Sequence, residues 1–206
     1  MIQTGLADVA IVGGSEAIAT PGCMCGWQMI QALADETCRP FSRDRDGMVM
    51  GDGAAVLILE DYDHARARGA EILGEFLGAG MTSDAFHLTQ PSLEGTVAAL
   101  RQACAQAGFA EDEALLISAH GTGTPLNDKN EAAALREVFG EAAARNPVIA
   151  TKSACGHTIG ATAALQAVIA LRALQEGLAP PIQNYLGPDE DCAGIDLVLG
   201  EARRIE

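Results

Sequence analysis

The sequence predicts a compact α/β protein, and three observations predict it. Nearly half of the 206 residues (49%) are apolar and only 20% are charged, which suits a packed core and argues against disorder. Glycine is abundant and aromatics are few, so small residues at close backbone contacts are expected. Short β-rich runs alternate with helical ones along the whole chain. A chain of this length builds one good-sized core or two small ones.

Taken in order, residues 8–12 read as a strand running into a turn at Gly13-Gly14. Residues 22–35 read as loop then helix, and 39–53 as a charged, glycine-punctuated loop. Two further strands are expected at 54–60 and 71–77, separated by a helical turn at 62–69. Residues 92–108 form a helix, because Val97, Leu100, Cys104 and Ala107 recur on one face and Gly108 can end it. A strand over 115–119 ends at His120. Asp128 followed by Glu131 reads as an acidic variant of the capping box, for a helix reaching Phe139. A strand at 147–151 ends at Lys152, a helix follows His157 to Gly177, and 195–199 is a last strand. Strand, polar loop, helix thus occurs twice, around His120 and around Lys152 to His157. Polar groups at the C-terminal ends of strands are where α/β sheets build sites.

A net charge of −15 argues against a general binder of nucleic acid or of anionic membranes, since both require a positive field. The six cysteines lack paired zinc-like spacing and are too sparse for a disulfide scaffold. They read as reduced thiols of a cytoplasmic protein, and the first residues show no signal-peptide pattern. Residues 159–174 are the most apolar stretch. Gly160, Thr162, Gln166 and Arg172 interrupt it, and it falls short of the ~20 residues a bilayer crossing needs. A buried helix is the better reading, and no membrane insertion is expected.

Two motifs carry the candidate chemistry. His120-Gly121-Thr122-Gly123-Thr124-Pro125 combines a titratable ring, flexible glycines and two hydroxyls. On the residues alone it is either a site or a turn whose histidine is merely hydrogen-bonded; it is not a GxGxxG phosphate loop. Thr151-Lys152-Ser153-Ala154-Cys155-Gly156-His157 lacks the earlier glycine of a P-loop. His157 opens an almost uncharged helix, so the helix dipole and the Lys152 cation both disfavour imidazolium. A neutral histidine donating one N–H suits an oxyanion or enolate. The plain alternative is a capping histidine satisfied in the core.

HGTGTPLND followed by TKSACGHTIGA resembles the two histidine motifs of the β-ketoacyl synthase family, in the family's order. ADVAIVGGSE, RPFSRDRDGMVMGDGAAVLILED, GMTSDAFHLTQP and PPIQNY are similar to it as well, so the likeness covers essentially the whole chain. The likeness extends to the synthase II type, including its nodulation-protein E branch. The resemblance implies a thiolase-like αβαβα layered fold, present here as an incomplete half. The end of the N-terminal thiolase-like half would occupy about 1–75, and most of the C-terminal half about 76–206. It implies decarboxylative condensation of an acyl-enzyme thioester with malonyl-ACP to give 3-oxoacyl-ACP. His120 and His157 would be catalytic, with Lys152 as the active-site lysine. Thr122, Thr124 and Thr89 would hold the phosphopantetheine arm, and Trp27 and Met48 would line the acyl pocket. Acyl carrier protein would be the partner, in a homodimer, with neither metal nor resident cofactor.

The departures from the family matter. Its cysteine nucleophile would lie upstream of Met1, so these residues alone are not expected to condense acyl groups. A glycine-rich segment expected after the end is absent. Gln166 stands in place of a usual glutamate, Ala163 of a glycine, Met48 of a phenylalanine, and Gln31 of an arginine that can dock the carrier. Cys155 is a poor substitute nucleophile, lying only two residues from His157 on the same loop. The alternative reading is a non-catalytic partner like a chain-length factor, although His120, Lys152 and His157 are all kept. Thiolase chemistry fits the His-Lys-His set less well. A metal-dependent hydrolase built on His64, His87, His120 and His157 lacks any regular ligand spacing. Read singly, His64 is a surface residue, and His87 lines an entrance or is structural. Cys23 and Cys25 read as packing residues, and the acidic run at 189–191 as a solvated loop.

Overall fold

The computed structural model describes residues 1–87, 89–109 and 116–205. Strand β1 (Val9–Glu16) pairs antiparallel with β2 (Gly53–Glu60), from Val9 opposite Glu60 to Glu16 opposite Gly53. Gly13-Gly14 is therefore within a strand and not a turn. The reason is crowding: a Cβ on Gly14 would lie 2.2 Å from the Gly160 carbonyl oxygen, and one on Gly13 2.3 Å from that of Ala55. The outer face of this pair carries Ile11, Val56 and Ile58, all exposed. Apolar residues on both faces are the pattern of strands meant to be covered on both sides.

Helix α1 (Pro21–Met29) starts with proline in its first turn and buries none of its residues. Cys23 and Cys25 on it are exposed, so neither is a packing residue among the described residues. The following segment, residues 30–52, has no regular element yet runs through the interior. Phe41 and Ser42 are fully buried, and Cys38, Arg45, Met48 and Met50 are buried too. The loop expected at 39–53 is therefore irregular as predicted up to β2, but largely buried rather than on the surface. Its buried backbone is satisfied by side chains, as where Phe41 N–H donates to Asp128 at 2.8 Å.

Helix α2 (Tyr62–Ala67) is capped by Asp61, which accepts from the N–H groups of Asp63 and His64. The strand expected at 71–77 does not form. Nearby, the N–H groups of Ala79 and Met81 go to the side chains of Gln106 and Gln102 on the next helix, at 2.6 and 3.1 Å. A run without a ladder partner forms no strand. That next helix, α3 (Leu93–Ala107), is capped by Ser92 and ends at Gly108 in the left-handed region, as its sequence pattern predicts. Val97 on it is buried.

Strand β3 (Ile117–Ser118) pairs parallel with β4 (Pro147–Ile149), and β4 with β6 (Asp196–Leu197). The expected strand at 115–119 also includes Leu115, which lies outside the described residues. Helix α4 (Pro125–Phe139) crosses between β3 and β4, and a 3-10 turn (Gly140–Ala144) follows it. Ala132, Leu135 and Val138 of α4 pack with Val97, Val148 and Phe41 in the main core. Beyond β4 come α5 (Lys152–Cys155), a 3-10 turn (Ile159–Ala161) and α6 (Thr162–Glu176). Strand β5 (Leu178–Ala179) pairs antiparallel with β7 (Arg203–Arg204). No described helix is long and apolar enough to cross a membrane.

Gly14→Ala is expected to force β1 off the segment that follows His157, at a cost of about 1–3 kcal/mol. Urea unfolding of the variant and parent chains checks this; an unchanged midpoint contradicts the close contact.

Candidate active site

Parallel pairing of β3 with β4 brings their C-terminal ends side by side. Ala119 N–H donates to the Ile149 carbonyl at 2.9 Å, so the residues that follow each strand emerge together. From β3 the chain gives His120; from β4 it gives Lys152. His157 is pinned separately: its N–H donates to Val49 O at 2.7 Å, and its own carbonyl accepts from Gly51 N–H at 3.0 Å. The His120 and His157 rings meet edge to face, with centroids 5.3 Å apart and planes 85° apart.

Lys152 is 1% exposed. Its ammonium has three protons and meets three acceptors: the His120 carbonyl, His120 Nδ1 at 3.3 Å and Gln166 Oε1 at 3.5 Å. Since the ammonium can only donate, His120 Nδ1 must accept, and its proton sits on Nε2. The same logic fixes His157, whose Nδ1 accepts the Ile159 N–H at 3.1 Å and faces Thr162 Oγ1 at 3.2 Å. Both rings are therefore assigned the tautomer with an Nε2–H free to donate.

Charge states follow from surroundings. Burial, then Lys152, then His157 lowers the His120 pKa from 6.5 to about 4. His120 nevertheless remains exposed on one side, so the burial acts on the face packed against the protein. Burial and then Lys152 lower His157 to about 4 as well. Burial also lowers Lys152, while Glu131 leads the groups that hold it up.

Asp128 and Glu131 do not form the expected capping box. Pro125 starts α4 earlier, with Thr124 in the capping position, so both carboxylates fall inside the helix. Each instead holds a neighbouring loop. Glu131 accepts from the His120 and Gly121 N–H groups at 2.6 and 2.8 Å. Asp128, fully buried, accepts from Phe41 and Gly123 N–H and lies 3.8 Å from Arg45 Nε. Burial raises its pKa, and the N–H donors and Arg45 oppose that rise. Arg45 also reaches Asp189 at 2.5 Å, while Asp191 pairs with Lys129 at 3.0 Å, so the acidic run is tied down rather than simply solvated. Arg45 and Asp189 gave no signal in the sequence beyond ordinary surface charge.

Thr122 is buried and Thr124 half-buried, with their hydroxyls 2.8 Å apart. Thr122 Oγ1 also accepts the Thr124 N–H at 3.3 Å, leaving Thr124 the more available of the two. Gly123 between them has φ +76°, and a Cβ there would sit 2.8 Å from Gly47 O. Thr89 is exposed, its N–H directed to His87 Nδ1 at 3.2 Å. Met48 is buried and bridges to Leu33, while Trp27 is half-buried on α1. His64 pairs with Glu60 at 2.5 Å on the surface. Among the described residues, no three or more His, Cys, Asp or Glu side chains gather to hold a metal. Cys155 is exposed, and its thiol donates to the Thr151 carbonyl. A shallow groove of about 490 Å³ between α3 and α4, lined by Glu94, Arg101 and Glu137, contains none of these groups. The site is located by chemistry, not by concavity.

Comparison with known proteins gives a consistent picture. The family description "Beta-ketoacyl synthase, N-terminal domain" matches residues 1–65, and "Beta-ketoacyl synthase, C-terminal domain" matches residues 73–186. Nodulation protein E of Rhizobium meliloti is 46% identical over 191 residues, covering 93% of this chain and 48% of that protein. The 3-oxoacyl-[acyl-carrier-protein] synthase 2 of Vibrio cholerae is 39% identical over 215 residues, covering 100% of this chain and 52% of its own length. Among solved structures, a type II polyketide ketosynthase in complex with its acyl-carrier protein superposes with a TM-score of 0.94. It is 32% identical and is matched over 99% of this chain and 52% of its own. The chain spans about half the length of the curated relatives it matches.

Because both imidazoles bind protons more weakly here than in an unfolded chain, acid favours the unfolded state. Their contribution to stability is fully present above about pH 6.5. It is lost progressively as the pH falls toward about 4, with no further loss from them below that. Denaturant midpoints of the parent and of H157N across this range check it: the parent is expected to show the steeper loss. Equal slopes would contradict the depressed values.

Proposed function

The chain belongs to the β-ketoacyl synthase family and has the thiolase-like fold of its ketosynthase relatives; on that premise we propose that it carries the decarboxylating half of a 3-oxoacyl-ACP synthase site. The observation that carries the reading is the meeting of two imidazole rings, each with Nδ1 occupied by a donor, which leaves Nε2–H to donate. Two such donors suit one thioester oxygen on which negative charge develops.

In this reading an acyl group passes from the phosphopantetheine thiol of acyl carrier protein to a cysteine in the segment preceding these residues. Malonyl-ACP follows, its arm held by the Thr124 hydroxyl with Thr122 behind it and Thr89 at the entrance. Trp27 and Met48 border the acyl chain. His120 and His157 donate to the malonyl thioester oxygen while the C–C bond to the carboxylate breaks and CO₂ leaves. The bond's electron pair forms the enolate, which attacks the acyl thioester carbon. Collapse of that adduct expels the cysteine thiolate and leaves 3-oxoacyl-ACP. Lys152 fixes the tautomer of His120, and burial together with Lys152 keeps both rings uncharged. No resident cofactor is needed, and the division between the two halves of the fold falls near residue 75.

A non-catalytic role like that of a chain-length factor would leave a buried ammonium and two aligned histidines with nothing to act on. Burying a charge is costly unless it is used or well paired, so the catalytic reading is preferred. Acyl carrier protein is the proposed partner, supported by the related ketosynthase solved with its own carrier. A homodimer is the proposed assembly.

The 206-residue chain, incubated with acyl-ACP and malonyl-ACP, is expected to give no 3-oxoacyl-ACP. The polypeptide continued upstream through a cysteine is expected to give it. In that longer form, His157→Ala should slow product formation by roughly 10²–10³-fold. Product from the short chain would contradict the upstream nucleophile, and an undiminished rate in the variant would overturn the oxyanion role.

A further inference from the structure

Resting on the reading above, we propose that Gln166 is a positioning residue that holds the Lys152 ammonium between the two histidine loops while leaving its charge unneutralised. The side chain at position 166 then governs how readily both imidazoles take up protons.

The geometry starts from the amide. Gln166 Nε2 donates to the Ala119 carbonyl at 2.5 Å and lies 3.4 Å from Ser118 Oγ, both in the β3 segment. That leaves Oε1 facing Lys152 Nζ at 3.5 Å. One side chain of α6 thus links the strand that delivers His120 to the lysine that touches it. A carboxylate of the same length could accept from the lysine but could not donate to Ala119 O.

The acceptors of the ammonium share a property: the His120 carbonyl, His120 Nδ1 and Gln166 Oε1 are all neutral. Charged and titratable groups do surround it. From α4 come Asp128 and Glu131, from the 30–52 segment Cys38, from α5 Cys155, and from the loops His120 and His157. Glu16 of β1 lies further along, on the Gly160 N–H at 3.2 Å. The two α4 carboxylates already accept from loop N–H groups, Glu131 from His120 and Gly121, Asp128 from Phe41 and Gly123. No carboxylate bonds the ammonium directly, so its field reaches the imidazoles as well as Glu131, and it stands second to burial among the causes that lower both.

The test is an NMR titration of the imidazole C–H signals of His120 and His157 in the parent chain, Q166E and K152M. A carboxylate at 166 or loss of the ammonium is expected to raise both apparent pKa values, by roughly one unit. Unchanged titration in folded Q166E overturns the inference, because a carboxylate beside an unneutralised ammonium must ionise and be felt. Should Q166E fail to fold, Q166M takes its place: with both amide bonds gone the ammonium loses its tether, and unchanged imidazole titration in folded Q166M overturns the inference equally. Parent imidazoles already protonated at pH 7 overturn the functional reading together with this inference. Neutral parent imidazoles with unresponsive variants overturn the inference alone.

Discussion

The arrangement depends on one buried cation. Lys152 sits at the end of β4 with almost no surface exposed, and it is bonded to the backbone and ring of His120 and to the amide of Gln166. A single ammonium so placed does three things at once. It ties the loop after β3 to the loop after β4, fixes the tautomer of His120, and adds to burial in making a proton on either imidazole unfavourable. Burying it costs free energy that an apolar residue would not. Such a cost is expected at a site whose chemistry needs the charge.

The rest of the fold serves to set that cation between two rings. Parallel pairing of β3 and β4 aligns their C-terminal ends, α4 clamps the His120 loop through Glu131, and Asp128 joins α4 to the interior segment at Phe41. His157 belongs to a different support. It is held by the backbone of Val49 and Gly51 beneath the β1–β2 pair, and Gly14 has no side chain where that pair meets the turn after it. Two imidazoles on independent supports, meeting edge to face, form a rigid pair of donors. Preorganisation of this kind is worth most where water is excluded and charge develops.

Much of this was legible in the sequence because it is local. The helix at 92–108 announced itself by period and by Gly108 at its end, and the lysine expected to disfavour a charged His157 does lower it, though after burial. What was misread depended on distant partners. Gly13-Gly14 looked like a turn until Gly160 was found against it. Asp128 and Glu131 looked like caps of their own helix, although Pro125 at its start was the available clue to the contrary. Residues 71–77 have the composition of a strand but no neighbour among the described residues to pair with. Arg45 and Asp189 are 144 positions apart, and no pattern along the chain links them.

The central claim is that both rings are neutral and carry their single proton on Nε2. A long-range ¹H–¹⁵N correlation spectrum of the histidine-labelled chain at pH 7 measures this directly. The account predicts, for His120 and His157, one protonated Nε2 and one unprotonated Nδ1 in each ring. Protonation of both nitrogens, or the opposite tautomer in either ring, would contradict it.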